Sequence, residues 1–298
     1  MQEKSFWRAM QTDSPDRGRL RVDVTSMLEN TPIEGAKVSI SYTGEPDQVL
    51  EELTTDESGQ TEAVELMTPP IEYSLEPSEY QPYSEYNIHV DVPGFESVNV
   101  SGSELLADET SIQPVRMIPL TEGEDFERIV IPAHTLFGDY PEKIPEDEVK
   151  PVDETGEIVL SRVVVPEYVV VHDGVPSDST AANYYVRYRD YIKNVACSEI
   201  YSTWPDSTIR ANVLAIMSFT LNRVYTEWYR NKGYDFTITS STAFDHKWIN
   251  GRNLFTNVSQ IVDELFGNYL SRPNVKQPIL TQYCDGERVT CPNWMTLS

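Results

Sequence analysis

Glu199 is the carboxylate in this 298-residue chain whose neighbours could make it a working acid. Ile192, Val195, Ala196 and Glu199 recur at i, i+3, i+4 and i+7, so on a helix they share one face. That face is apolar apart from the glutamate. Taking a carboxyl out of water disfavours its charged form, and a general acid working near neutral pH needs a carboxyl that keeps its proton. The structural alternative is a helix-end glutamate that reaches solvent or pairs with an arginine. After Glu199 come a Trp204-Pro205 corner and a second, longer helical pattern. Ile209, Val213, Ile216, Val224 and Trp228 form its apolar stripe, and Gly233 is a suitable stop. The spacing predicts about 25 residues, or ~37 Å, for this helix.

The same stretch resembles a known family. Val195-Ala196-Cys197-Ser198-Glu199-Ile200, then Trp204-Pro205, then Ile209-Arg210-Ala211-Asn212, is similar to the pattern of the stage II sporulation protein D (SpoIID) family. Asp245-His246-Lys247-Trp248 with Gly251 forms a second block, and Pro278-Ile279-Leu280 through Tyr283 a third. The likeness covers about residues 164–298, and the chain stops at Ser298 where the family continues. The end of the domain is therefore expected to be missing. Three positions depart from the family pattern. Met217 stands where it has Arg, His246 where it has Gln, and the Cys284–Cys291 segment replaces a glycine-rich turn.

The resemblance implies a bacterial lytic transglycosylase of peptidoglycan in sporulation or wall remodelling, with Glu199 as catalytic acid. A hydrolytic glycosidase uses two carboxylates. A lytic transglycosylase manages with one, which first protonates the bridging oxygen and then takes the proton of the muramic acid 6-hydroxyl, closing a 1,6-anhydro ring. One standout glutamate with no second acid nearby in sequence suits that chemistry. The alternative is a non-catalytic peptidoglycan-binding or assembly protein that keeps the fold. Tyr201, Trp204, Asp245, His246, Gln282 and Tyr283 are the candidate substrate contacts lining a groove, with core packing the competing role for the aromatics. No cofactor is required for this reaction. Cys284, Cys291 and His246 are possible zinc ligands, since family members are thought to hold zinc near this turn. Cys284 and Cys291 are also spaced for one disulfide. Cys197 reads as a small core filler.

Charge divides the chain. Residues 164–298 carry 12 Lys+Arg and 13 Asp+Glu, so nearly all of the net −25 lies in residues 1–163. Such an acidic half repels nucleic acid and anionic membrane surfaces. No apolar run approaches the roughly 20 residues of a membrane span, and the first residues show no signal-peptide core. A cell-wall or spore-associated location follows from the resemblance alone.

The positioning elements form a multidomain chain. Residues 1–17 are a polar lead-in. Residues 18–121 read as an all-β sandwich, with alternation at Leu20-Val22-Val24, Val38-Ile40-Tyr42 and Tyr86-Ile88-Val90. Pro32-Ile33-Glu34-Gly35-Ala36 and Thr55–Thr61 make turns, the latter with Gly59 at positive φ. These strings resemble carboxypeptidase-regulatory-like domains of the transthyretin type, which implies a spacer or a module that engages other cell-wall or sporulation proteins. Residues 122–163, rich in Glu and Pro, read as an extended connector, with His134 structural. Residues 164–298 form an α+β SpoIID-like domain. Val163–Val165 and Tyr168–Val171 are strand-like there, and His172-Asp173 reads as a hydrogen-bonded structural pair, with a catalytic role the alternative. A third helix runs through Val258, Ile261, Val262, Leu265 and Tyr269 up to Pro273, and a last strand begins at Ile279.

Overall fold

The computed structural model describes residues 15–28, 30–120, 126–136, 159–284 and 295–296. Most of the lead-in, much of the expected connector and Cys291 lie outside them, as does the side chain of Cys284. The chain forms two compact units, one of Met1–Thr135 with Asn250–Asn257, the other of Leu136–Ile249 with Val258–Ser298. Strands outnumber helices, and among the described residues no helix is long and apolar enough to cross a membrane.

The first unit holds two sheets. One is built from β1 (Asp16–Ser26), β4 (Val64–Thr68) and β7 (Thr110–Met117), joined by β12 (Leu254–Phe255). The other orders β3 (Glu45–Thr54), β2 (Lys37–Tyr42), β5 (Ser84–Asp91), β6 (Ser97–Leu105) and β8 (Phe126–Val130). Alternation sets which face is buried. Leu20, Val22 and Val24 of β1, Ile40 of β2, Ile88 and Val90 of β5 and Val98 and Val100 of β6 are essentially fully buried. β3 escaped the alternation pattern because it is an edge strand exposed on both faces, with acidic Glu45, Asp47, Glu51 and Glu52.

The expected connector is shorter than its composition suggests. Phe126–Val130 pairs in parallel with Ser97–Ser101, and the unit continues to Thr135. His134 is not isolated there. Its Nδ1 lies 3.3 Å from Glu104 Oε1, and its backbone N–H donates to Tyr83 Oη at 2.8 Å. Glu104 also accepts from Arg252 Nη2 at 2.7 Å. Burial would raise the Glu104 pKa, but the charges of Arg252 and His134 outweigh it and hold the carboxyl below its ordinary range. Asn253 adds a two-way backbone clasp, accepting from Glu104 N at 3.0 Å and donating to Glu104 O at 2.8 Å. Leu254 and Phe255 then pair with β7.

Two features of this unit yield measurable consequences. Gly102 has φ +87°, and a Cβ there would sit 2.3 Å from the Ile131 carbonyl oxygen. Gly102→Ala is expected to destabilise the unit by about 2 kcal/mol or more, since both the backbone and a fixed carbonyl oppose it; denaturant unfolding reads this directly. Glu109 is pushed up from the ordinary 4.5 to about 7, by burial first and then by the Asp108 charge, with Arg19 opposing. Its folded pKa is raised, so its contribution to stability is full below pH 4.5 and is lost as pH rises through about 7. Glu109→Gln keeps an acceptor for Asn257 Nδ2. It should raise the melting temperature at pH 8 and leave it unchanged at pH 4.

The second unit pairs β9 (Tyr168–His172) antiparallel with β10 (Asn183–Arg187) and parallel with β11 (Ile238–Thr239). β10 runs straight into α1 (Tyr188–Glu199), and Pro205 precedes α2 (Asp206–Tyr225). α2 is 20 residues, shorter than its apolar stripe predicts. Thr226 returns its hydroxyl to Asn222 O at 2.8 Å, and Glu227 at φ +46° leaves the helical region. Gly233, at φ +85°, instead closes a 3-10 turn over Arg230–Lys232. α3 (Thr256–Leu265) likewise ends early, before Gly267 at φ +85°. Val163–Val165 are not a strand, and Val164 and Val165 are exposed. The last described strand pairing is β13 (Tyr283–Cys284) with β14 (Met295–Thr296), not a strand from Ile279. His172 does not pair with Asp173 as expected; its Nδ1 lies 2.8 Å from Asn183 Oδ1 and its Nε2 3.2 Å from Val175 O.

Candidate active site

Glu199 is the last residue of α1 and is fully buried. Its face is the apolar one read from the spacing, because Ile192, Val195 and Ala196 are buried with it. Its Oε1 accepts the backbone N–H of Lys247 at 2.7 Å, and its Oε2 accepts the Tyr283 hydroxyl. Neither of these partners is an arginine. A carboxyl met by a main-chain donor and a phenol is held in one orientation, a requirement for transferring a proton to a defined point.

His246 lies beside this carboxyl. Its ring stacks on Tyr283 with centroids 5.9 Å apart and an interplanar angle of 13°, and Phe219 covers it at 4.5 Å. Tyr191, one turn before Val195, brings its hydroxyl 3.1 Å from His246 Nδ1. Burial first, then the charges of Asp245 and Glu199, push the Tyr191 phenol well above its ordinary 10. It therefore keeps its proton. When that proton is shared with Nδ1, the imidazole proton resides on Nε2. Tyr191 can be found in the sequence as the aromatic eight residues before Glu199 on the same helical face.

Asp245, expected to contact substrate, is instead the anion of a buried ion pair. Arg223 Nε donates to its Oδ1 at 2.6 Å, and both side chains are fully buried. Its Oδ2 accepts from Tyr229 Oη at 2.6 Å, from Thr239 N at 2.8 Å and from Thr239 Oγ1 at 2.7 Å. These donors leave it the role of holding the Asp245-His246-Lys247 segment in register under Glu199. Arg223 was missed although an arginine within an apolar stripe signals a buried pair.

Tyr201 and Trp204 are also core residues. Their rings meet edge to face at 5.7 Å, and Tyr201 Oη accepts from Leu136 N at 3.2 Å. Both are buried, so neither offers an open stacking face to a sugar. Gln282 is buried next to Tyr283. The structure thus brings Glu199, Asp245, His246 and Tyr283 together and assigns Tyr201 and Trp204 to packing.

The expected open groove does not reach the Glu199 carboxyl, which is fully buried. In this unit a cavity of about 200 Å³ lies among Tyr168, Trp228, Tyr229 and Phe236, away from Glu199. For zinc, His246 has its Nδ1 engaged by Tyr191, and Cys291 and the Cys284 side chain lie outside the described residues. Among the described residues no group of three or more His, Cys, Asp or Glu is placed to hold a metal ion.

No protein-family model and no curated protein sequence matches this chain. Solved structures show partial similarity. The TIE protein of Bacillus anthracis is 14% identical with a TM-score of 0.24, over 35% of this chain and 17% of that one. The 3-chlorocatechol 1,2-dioxygenase of Rhodococcus opacus 1CP is 12% identical with a TM-score of 0.27, over 37% of this chain and 62% of the enzyme. The 5-hydroxyisourate hydrolase of Klebsiella pneumoniae is 17% identical with a TM-score of 0.23, over 35% of this chain and 92% of the hydrolase. This chain therefore spans less than two thirds of the first two proteins.

Proposed function

We propose that the protein is a lytic transglycosylase of peptidoglycan, with a SpoIID-type second unit and a transthyretin-like, carboxypeptidase-regulatory-like first unit. The observation that carries this reading is convergence. Three blocks read as SpoIID-like, Val195–Asn212 with Glu199, Asp245–Trp248 with Gly251, and Pro278–Tyr283, meet at the Glu199 carboxyl through two hydrogen bonds, from Lys247 N–H and the Tyr283 hydroxyl.

On this reading Glu199 protonates the oxygen linking N-acetylmuramic acid to N-acetylglucosamine. The bond from the anomeric carbon to that oxygen breaks. Glu199, now a carboxylate, takes the proton of the 6-hydroxyl, whose oxygen bonds to the anomeric carbon and closes the 1,6-anhydro ring. The Lys247 N–H holds the carboxylate between the two steps. For substrate to reach Glu199, Tyr283 has to leave it, because the carboxyl is sealed as the chain stands.

That sealing favours the second reading, a wall-binding or assembly protein in which Glu199 is a structural acceptor. Incubation of the chain with purified wall sacculi, with and without stem peptides, separates the two. Soluble 1,6-anhydro products identified by mass spectrometry support the enzyme. Co-sedimentation without products supports the binding protein, and neither result overturns both.

A further inference from the structure

The outward face of the five-stranded sheet in the first unit carries a trough of about 440 Å³. Strand register builds it in rows. Ser39 on β2 faces His89 on β5, His89 faces Asn99 on β6, and Asn99 faces Arg128 on β8. In the next row Ser41 faces Asn87, with Ser101 beyond the irregularity in β6 pairing. These positions alternate with the buried Val38, Ile40, Ile88, Val98 and Val100, so they share the solvent side.

The composition of that face needs a cause. A sheet face that only had to stay soluble would carry long charged side chains. Nearly all of the chain's net charge of −25 lies in its first 163 residues, yet the centre of this face has no acid. Acids flank it, on the edge strand β3 and at Glu85 and Asp91 towards the two ends of β5. Small side chains in the middle leave the concavity, with Arg128 at one end and Pro46 and the half-exposed Val49 at the other. Two hydrogen bonds orient the amides. Asn99 Oδ1 lies 2.9 Å from His89 Nδ1, and Asn87 Oδ1 accepts from Thr43 Oγ1 at 3.0 Å. Each leaves its amide N–H₂ to donate outward.

We propose that this trough binds a glycan segment bearing a carboxylate. Sugar hydroxyls and N-acetyl groups meet the serine hydroxyls, asparagine amides and His89, and the carboxylate meets the Arg128 guanidinium. The volume is that of a small-ligand site. A polyanion is disfavoured by the acids of β3, and the serines, asparagines, His89 and Arg128 among the lining residues call for polar partners. The hydroxyl-and-carboxylate chemistry stands on the trough alone; the choice of a wall glycan rests on the function proposed above.

The test uses the full chain carrying Glu199→Gln, with peptide-free glycan fragments containing muramic acid, and the same fragments with the carboxyl reduced. Arg128→Glu and Asn99→Glu, each with an unchanged melting temperature, should weaken binding by about tenfold, the size expected for one charge-assisted hydrogen bond. Reducing the glycan carboxyl should weaken the parent by a similar factor and the Arg128→Glu protein no further. Equal binding by parent and both variants, or equal binding of native and reduced glycan, overturns the proposal. Product release by the unsubstituted chain is scored in parallel. Release with variant-insensitive binding sinks the trough alone, and trough-dependent binding without release sinks the transglycosylase reading alone.

Discussion

Glu199→Gln is expected to lower the rate of anhydro-muropeptide release by at least about 100-fold, the lower end of what a positioned general acid contributes. The fold should survive the change. Glutamine keeps an oxygen for the Lys247 N–H, and its amide can donate to the Tyr283 oxygen in place of accepting from it. The Tyr283 O–H gives up this acceptor and the amide adds a second N–H, so the melting temperature should fall by a few degrees with the fold kept. What disappears is the transferable proton. Circular dichroism at matched concentration checks the fold, and quantified product release checks the chemistry. A Glu199→Gln protein as active as the parent ends the acid-base assignment. If the parent releases nothing but binds sacculi, the same carboxyl is a structural acceptor.

The position of Glu199 was legible because helical spacing alone places it with Ile192, Val195 and Ala196. Its partners were not. Lys247 contributes a backbone N–H, which no side-chain pattern reveals, and Tyr283 arrives from a two-residue strand 84 positions away. Asp245 and His246 both fall beside the Glu199 segment, but the expectation that Asp245 contacts substrate left out its protein partners. A sequence shows that an aspartate adjoins a motif; only packing shows that Arg223, Tyr229 and Thr239 already use both of its oxygens. The same limit applies to Tyr201 and Trp204, where an aromatic beside a glutamate reads alike as platform or as core. In the first unit the buried alternation in β1, β2, β5 and β6 was plain. β3 and β8 were hidden because edge strands bury too little to leave a pattern. The Arg252–Glu104 pair joins residues 148 apart and carries no local signal.

Arg223→Ala should be among the most destabilising single changes in the second unit. The guanidinium lies over Phe219 at 4.7 Å and Trp228 at 4.9 Å, donates to Asp245, and reaches Phe244 O from Nη2 at 3.1 Å. Removing it leaves a carboxylate in a site from which water is excluded, a defect worth about 3–5 kcal/mol. In a unit of this size that corresponds to a drop in melting temperature of roughly 10 °C. The pair itself is not required to be strongly stabilising, because desolvating two charges offsets much of their attraction. Arg223→Met combined with Asp245→Leu should therefore recover a large part of the loss, although Tyr229 and Thr239 then lack their acceptor. Asp245→Asn alone separates this account from a substrate-contact role. It should lower the melting temperature and leave the KM for glycan unchanged at a temperature where the variant is folded. An unaltered melting temperature with a raised KM would instead return Asp245 to the substrate.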